Sequence, residues 1–503
     1  MKIMRKSMRV ILGAFLAVCP LAQVVGQGES FAEFRKKMLG DYNDFRSSIF
    51  ENYDKFLEEA WSNYEQVKGE KSNPKPKPLM APVAEAPAPE IPAAVVPEVS
   101  MPVAEAPAGP APVSPEPVAA EKPRDERRPA PESGAGTDRF LLGDTELGVA
   151  HVDYNIAGRL NSPHDYAAHW RGLAKSGLAD RLLPDFRELA KKYGLNDYLL
   201  FEAVNSYVDA RFPKTHSSAR KSLAHYLLAG LGYDVRLGKN NAGTAMLLVP
   251  FRQMVYARPY LNIGGKRYFI FADESVDLTQ PDNLRISSCD IPADASAGSD
   301  LDLIIRDLRL PYQPMEYVVS HGGLTIKGEL NKAVIPLLYR YPQMPTADYA
   351  RSNVLPGVRE SIVAQLKDQL DPMERAEAVD RLLQFVQSGF EYATDEDFHG
   401  FEKPYFLEET LFYPKNDCED RAIFYTCLLW EVLGVPNQLI CYPGHESASV
   451  ALGSAPKGGH RTVSYKVGDT VYYISDPTYI GSVTGMCMPD YEHEKPVVDY
   501  SYE

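Results

Sequence analysis

A proline-rich segment between residues 72 and 137 limits what this chain can fold into. Of the 40 prolines among the 503 residues, seventeen lie between Pro74 and Pro131. The segment is otherwise rich in Ala, Val and Glu, and "PVAEAPAPEIP" is partly repeated as "PVAEAPAGPAP". A segment of this composition does not bury enough apolar surface to fold. We therefore predict a disordered, polyproline-like linker over 72–137, with a reach on the order of 100 Å or more.

The first 26 residues have the pattern of an export signal. Basic residues precede the apolar run Val10–Ala17, and Val24-x-Gly26 offers small residues for cleavage. The run is too short to span a membrane comfortably, and no later stretch is long and apolar enough for a transmembrane segment. Lipidation at Cys19 is the less favoured alternative, because Val18 fits poorly before a lipidated cysteine. We predict an exported protein of the periplasm or outer cell surface.

Length and charge narrow the classes of protein that fit. A chain of this length predicts two or three units plus linkers, and its 45% apolar residues allow a sizeable core. The formal net charge is −15, and no basic tract occurs. An acidic chain without such a tract argues against a nucleic-acid partner.

The cysteine content points to a free thiol. Six cysteines are present, and cleavage after Gly26 would remove Cys19 and leave five. An odd number in an exported protein implies a free thiol or an intermolecular bridge. Cys441 and Cys487 either form a disulfide or stay buried; the sequence does not decide between these.

Residues 31–66 predict one amphipathic helix. Apolar and aromatic residues recur at steps of three or four from Phe34 to Tyr64, with charged residues between them. One interpretation is a helix packed on the globular part of the chain. The other is a coiled coil or docking helix for an envelope partner, held apart by the linker.

Residues 138–370 and 371–503 form the globular part. The first range predicts helices, then strands, then a helix over 356–370. The second range predicts a helix over 372–388 that Asp371 caps, a helix over 418–433 and several short strands. "SSARKSLAHYLLAGLGYDVRLG" (217–238) is similar to "CEDRAIFYTCLLWEVLGVPNQLI" (418–440). Residues 138–370 are therefore interpreted either as a degenerate repeat or as a unit that shares only the common helix–glycine–strand pattern.

Cys418 is the candidate nucleophile. It follows Asn416-Asp417, which can cap a helix, so it lies in the first turn of a buried apolar helix. Unpaired N–H groups and the helix dipole stabilise a thiolate there, and the backbone N–H of Cys418 can donate to an oxyanion. The neighbouring acids oppose the thiolate, so activation needs a nearby imidazolium.

His445 and Asp476 are the candidate base and orienting carboxylate. "GHESASV" places His445 at the start of one strand, and "ISDPTY" places Asp476 at the end of another. If these strands pair antiparallel, the two side chains meet at one end of a sheet. Cys418, His445 and Asp476 would then form a Cys–His–Asp triad.

Residues 371–484 resemble the transglutaminase-like superfamily, whose core is a papain-type cysteine site. The matching motifs are "LLQFVQSGFEYATD", "CEDRA", "LLWEVLGVP", "GHESASV" and "SDPTY". The longer strings "EKPYFLEETLFYPKNDCEDRA" and "DPTYIGSVTG", with the aromatic helix and the linker, resemble exported transglutaminase-like proteins of Bacteroidota-type bacteria. The resemblance implies an α+β fold with the cysteine helix packed on an antiparallel sheet, and the triad Cys418, His445, Asp476.

Some residues of the region leave alternatives open. His460 competes with His445, because the hairpin turning at Gly468-Asp469 places residue 461 roughly opposite 476. We prefer His445, because "PGH" followed by "ASV" resembles the strand-leading histidine of the family. Upstream, no clear glutamine or tryptophan completes an oxyanion hole, and Tyr413 and Asn416 are candidates only by proximity. Glu408-Glu409 is expected to be a solvated charge pair.

These observations predict an exported cysteine enzyme that acts on peptide or isopeptide amide bonds through a thioester, with hydrolysis favoured over crosslinking. Its partner is a protein or peptide substrate. The alternative is a catalytically idle fold that serves as a binding or scaffolding module of the cell envelope. The sequence contains no HExxH, paired CxxC, phosphate-loop or GxGxxG pattern, and we predict neither a metal nor an organic cofactor.

Overall fold

Helices precede an antiparallel sheet twice along this chain. The computed structural model describes residues 53–72, 78–84, 136–156, 158–289, 298–456 and 461–503, except the side chain of Asp282. These residues form one unit that starts at Asn52. The predicted export signal over 1–26, the larger part of the predicted helix over 31–66, and His460 lie outside the described residues. Among the helices described, none combines the length and the apolar character needed to cross a bilayer.

The chain is a mixture of helix and sheet, as predicted in general terms. Residues 53–58 are helical. The α-helices of the described residues after residue 136 are α1 Pro163–Lys175, α2 Leu178–Tyr193, α3 Asp197–Arg211, α4 Ser217–Leu231, α5 Ile335–Tyr339, α6 Thr346–Arg351, α7 Pro356–Leu370, α8 Arg375–Gly389, α9 Asp395–Phe398, α10 Leu407–Phe412 and α11 Cys418–Leu433. The strands are β1 Ser62–Glu65, β2 Thr137–Leu142, β3 Thr145–Ala150, β4 Arg236–Asn240, β5 Ala245–Val249, β6 Tyr260–Ile263, β7 Lys266–Phe271, β8 Arg285–Ser288, β9 Pro314–His321, β10 Leu324–Asn331, β11 Glu391–Tyr392, β12 Lys415–Asn416, β13 Asn437–Tyr442, β14 His445–Val450, β15 Ser464–Val467, β16 Thr470–Ile474 and β17 Val497–Tyr502.

The first sheet is a closed antiparallel barrel. Its strand order is β1-β8-β4-β5-β7-β6, and a bridge between Val67 and Tyr260 joins the two outer strands. Alternate side chains point inward along each strand. The inward set forms one apolar core of Met246, Leu248, Leu261, Ile263, Tyr268, Ile270 and Ile286. Helix α4 packs against β5 on the outside of this barrel.

The second sheet carries the candidate site. Its order is β15-β16-β14-β13-β17, with every neighbouring pair antiparallel. Helix α11 packs across β14 and against α7 and α8. One apolar core joins α7, α8 and α11 to the β9–β10 hairpin. This core crosses residue 371, so the predicted boundary there does not separate two cores.

The two sheets share one order of strands. The sequence β8-β4-β5-β7-β6 in the first matches β17-β13-β14-β16-β15 in the second, strand for strand along the chain. A helix precedes each set and ends at a left-handed glycine, Gly232 or Gly434. This match supports the interpretation of residues 138–370 as a degenerate repeat, with residues 62–67 added to close the earlier sheet.

The predicted helix over 31–66 was wrong at its end. Residues 53–58 are helical, whereas Ser62–Glu65 is a strand that pairs with Arg285–Ser288. The aromatic ring of Tyr53 stacks on Trp170, and its hydroxyl contacts Nε2 of His225 at 3.1 Å. The described end of this segment therefore packs on the globular part. In the four strand residues, pairing with the edge of a sheet determines the conformation despite the helical periodicity of the sequence.

Two further boundaries differ from the prediction. Thr137 already begins β2, and residues 78–84 inside the predicted linker pair with the second sheet's domain at Ile480. Helix α8 begins at Arg375 rather than at residue 372. Asp371 does not cap it, because the Asp371 N–H donates to the carbonyl of Lys367 and closes α7.

Candidate active site

Cys418 is the first residue of α11, as expected, with Asp417 as the preceding cap. A carboxylate oxygen of Asp420 accepts the Asp417 N–H at 3.2 Å and closes the first turn. The helix then continues through an apolar run to Gly434, where the left-handed conformation ends it. The Cys418 thiol is therefore held at a helix N-terminus, where the backbone N–H groups favour a negative charge.

The structure places His445 and Asp476 side by side. Strand β14 starts at His445 after a tight turn through Pro443 and Gly444, and it pairs antiparallel with β16, which ends two residues before Asp476. The distance between Nε2 of His445 and Oδ2 of Asp476 is 2.8 Å. Both side chains are buried.

This pairing determines which ring nitrogen can act as a base. A carboxylate only accepts hydrogen bonds, so Nε2 of His445 carries the hydrogen that faces Asp476. The neutral ring then leaves Nδ1 as its acceptor. Within the described part of the chain, Nδ1 is buried and has no hydrogen-bond partner. A ring held in this tautomer is prepared to take a proton from a thiol.

Tyr491 stacks on His445 and is affected by the charge of Cys418. Its ring stacks on that of His445, with centroids 5.3 Å apart and planes 13° apart. Burial, followed by the negative charge of an ionised Cys418, raises the pKa of Tyr491. The thiol is therefore within electrostatic range of the ring that covers His445, and α11 packs on the strand that His445 begins.

Buried acids surround the thiol. The Cys418 Sγ donates to Oε2 of Glu419 at 3.2 Å, and Asp417 and Asp420 are also buried. These acids disfavour a thiolate in the resting site. A proton acceptor such as His445 is therefore needed for Cys418 to act as a nucleophile.

Three carboxylates near the helix start are close enough to share a cation. Ligand oxygens of Asp395, Asp417 and Asp420 lie within 4.8 Å of one another. Each carboxylate also accepts a backbone N–H. Asp395 accepts from Lys403, Asp417 accepts from Asp395, and Asp420 accepts from Tyr405. These bonds tie the 395–405 loop to the start of α11, which gives the acids a structural role without a metal.

Gln387 is a positioning residue that the sequence analysis missed. From α8, its Nε2 donates to the carbonyls of Asp476 at 3.0 Å and Tyr479 at 2.8 Å, and its Oε1 accepts the Gly481 N–H at 3.1 Å. The loop that carries Asp476 is thus held by one buried amide. The signal in the sequence was a polar residue on the apolar face formed by Leu383 and Val386.

Arg421 fixes the orientation of Asn416. The guanidinium is fully buried, and its Nε donates to Oδ1 of Asn416 at 2.8 Å. Because arginine only donates, the atom that faces it must be the amide oxygen. Nδ2 of Asn416 is buried without a hydrogen-bond partner in the described residues. Asn416, two residues before Cys418, thus retains a free donor. Tyr413 lies in an aromatic cluster with His399 and Tyr405, and its buried hydroxyl also has no hydrogen-bond partner among the described residues.

The remaining described cysteines are free thiols in unreactive settings. Cys441 and Cys487 do not form a disulfide, and Cys289 and Cys427 are buried. Burial raises the pKa of Cys427 and of Cys487 to about 12. These thiols stay protonated near neutral pH.

The first sheet and helix α4 lack an equivalent of the triad. Ser217 opens α4 where Cys418 opens α11, and Ala245 begins β5 where His445 begins β14. Asp273 follows β7 by two residues, as Asp476 follows β16. It is paired with Nζ of Lys221 at 3.0 Å. Residues 138–370 therefore keep the carboxylate but neither the nucleophile nor the base.

No family model, curated protein or solved structure matches this chain. The interpretation of the site therefore depends on its own geometry.

Proposed function

We propose that this protein is an exported, transglutaminase-like cysteine enzyme that cleaves peptide or isopeptide amide bonds. The observation that carries the proposal is the 2.8 Å contact of His445 with Asp476 beside the helix that Cys418 begins. This pairing supports nucleophilic thiol catalysis, which needs a nucleophile, a base and a group that orients the base.

The reaction follows from the tautomer of His445. Its Nδ1 takes the Cys418 proton as Sγ attacks the carbonyl carbon, and the developing oxyanion accepts from the Cys418 backbone N–H and the Asn416 amide. The C–N bond breaks, the amine leaves with the proton from His445, and a thioester remains. Water then loses a proton to His445 and attacks the thioester, which releases a carboxylic acid and the thiol.

The burial of the site favours a second candidate function. The exposed fractions of Cys418, His445 and Asp476 are 0%, 0% and 1%, so a substrate reaches the thiol only after a rearrangement. Tyr491 is the side chain that covers His445. If no such opening occurs, the domain is an idle fold that serves as a binding or scaffolding module of the cell envelope.

Trapping of the thioester tests the proposal. We expect incubation with a peptide library to give a Cys418 adduct that hydroxylamine removes, detected by mass spectrometry of the digested protein. Cys418→Ser should give none. Incorporation of ¹⁸O from labelled water indicates hydrolysis, whereas incorporation of a fluorescent primary amine indicates transfer.

Variants of the two histidines test the choice of base. We expect His445→Ala to abolish the adduct and His460→Ala to leave it in place. An adduct that survives His445→Ala and disappears in His460→Ala would overturn the assignment. Absence of any adduct in the parent protein would favour the idle module.

A further inference from the structure

A short piece of the proline-rich segment lies against the domain that carries the triad. We call residues 78–84, "PLMAPVA", the strap. The Ala84 N–H donates to the carbonyl of Ile480 at 2.9 Å, and the Ile480 N–H donates to the carbonyl of Pro82 at 2.9 Å. These two bonds form a parallel β-bridge between Val83 and Ile480. The strap thus adds an extended strand to the loop that follows Asp476.

The other end of the strap contacts the nucleophile side of the site. The Tyr392 hydroxyl donates to the carbonyl of Pro78 at 2.5 Å. Tyr392 lies in β11, which pairs with β12 at Asn416, two residues before Cys418. The Arg421 guanidinium also lies 5.2 Å from the Tyr392 ring centroid. The strap therefore spans the two chain segments that present Cys418 and Asp476.

Backbone hydrogen bonds hold the strap, and its largest apolar side chains are exposed. Leu79, Met80 and Val83 are 75%, 81% and 67% exposed. Recognition thus requires one residue whose carbonyl accepts and another, two positions later, whose N–H donates. Any extended peptide provides both groups, provided that the donating residue is not proline. Pro82 fits because only its carbonyl is used, and its fixed φ keeps the segment extended.

We propose that the Ile480 edge and Tyr392 form the peptide-binding subsite of the candidate enzyme, and that the strap is its intramolecular occupant. The inference depends on the proposed function, and it names the substrate class as extended peptides that pair by their backbone. A peptide substrate competes with the strap for the same hydrogen bonds. Since few groups hold the strap, it is a displaceable inhibitor rather than a permanent cover.

Removing one hydrogen bond of the strap in the full chain tests this competition. Ala84→Pro eliminates the N–H that Ile480 accepts and leaves the sheet and the triad unaltered. We expect a peptidyl acyloxymethyl ketone with the sequence acetyl-Pro-Val-Ala to label Cys418 about three- to tenfold faster, the effect of losing one net hydrogen bond. Ala455→Pro, the same substitution in an exposed loop, should leave the rate at the wild-type value.

A second probe separates this inference from the proposed function. Iodoacetamide needs no peptide subsite, so its rate with Cys418 should be equal in the parent and in Ala84→Pro. If Ala84→Pro accelerates both probes equally, or accelerates neither, the strap does not compete with peptides and is a structural brace. If neither probe reacts in any variant, the proposed function fails. In that case the subsite is tested by adding the synthetic peptide "PLMAPVA" to Ala84→Pro. Renewed hydrogen-exchange protection of the Ile480 amide would support the subsite, and absence of protection would refute it.

Discussion

Gln387 provides a strong test of how the site is held. In Gln387→Leu, the side chain keeps a similar volume but loses its bonds to the carbonyls of Asp476, Tyr479 and Ser482, to the Ser482 Oγ and to the Gly481 N–H. A buried polar group left without a partner costs about 1–3 kcal/mol. The Nε2 amide carries two hydrogens for its four acceptors, and Oε1 accepts one, so three hydrogen bonds are lost at a time. Because Gly481 is partly exposed and water reaches part of the loop, we expect the lower end for each of the three, ~3 kcal/mol in total.

The same substitution should also weaken the base. Asp476 orients His445, and a misplacement of about 1 Å at a catalytic group reduces rates by up to about 100-fold. We expect slower iodoacetamide labelling of Cys418 at pH 7 under conditions where the variant is still folded. Urea unfolding followed by fluorescence gives the free energy of unfolding, and mass spectrometry gives the labelling rate.

Gln384→Leu is the matched control for this prediction. Gln384 lies one turn earlier in α8 and is partly exposed. We expect the substitution there to change the free energy of unfolding by less than about 0.5 kcal/mol. Equal stability and equal labelling rates in the two variants would refute the role of Gln387 as the support of the Asp476 loop.

Three further predictions concern charge and protonation. Asn416→Asp replaces the free amide donor with an acceptor, so we expect turnover to fall about 100- to 1000-fold while chemical denaturation shows the fold retained. Burial lowers the pKa of His225 to about 3 and of His169 to about 4. Below about pH 6.5 each ring therefore binds a proton in the unfolded chain but not in the folded protein. We expect each histidine to lower the free energy of unfolding by ~2 kcal/mol between pH 7 and pH 5, measured by unfolding at both pH values. Because burial raises the pKa of Cys427 and Cys487 to about 12, neither should be labelled at pH 9 in the folded protein, as peptide mapping will show.

Elements that follow local rules were predictable from the sequence. Helix α11 begins after the capping Asp417 and ends at Gly434, and helix α7 spans Pro356–Leu370 as predicted. Caps, a glycine stop and an apolar run determine such helices within one short segment. The antiparallel pairing that joins His445 to Asp476 was also predictable, because both strands alternate and turns lie between them.

Elements that depend on distant partners were not predictable. Ser62–Glu65 continues an aromatic stripe of helical period, but it forms a strand because the Arg285–Ser288 edge is available. Glu408 and Glu409 were expected to be solvated and are buried, since the Leu355 N–H and the Lys403 ammonium pair with them. No local pattern predicts the Leu355 partner, which is 53 residues from Glu408 in the sequence.

The strap shows the same limitation for composition. Its prolines predict disorder, and composition carries no information about a backbone edge at Ile480. The pairing follows from two backbone carbonyls and one N–H of the strap that find partners on the folded domain. The pairing of the strap therefore depends on the folded arrangement of the loop after Asp476.

The central claim is that His445 activates the thiol of Cys418, and the pH dependence of alkylation tests it most directly. The measurement is the second-order rate of iodoacetamide labelling at Cys418 between pH 5.5 and 9.5 in the parent protein and in His445→Ala. We predict a rate that is already high at pH 7 in the parent, where neutral His445 accepts the thiol proton, and that rises only above about pH 8 in the variant, near the ordinary thiol value. A parent protein whose Cys418 reacts only above about pH 8 would contradict the account.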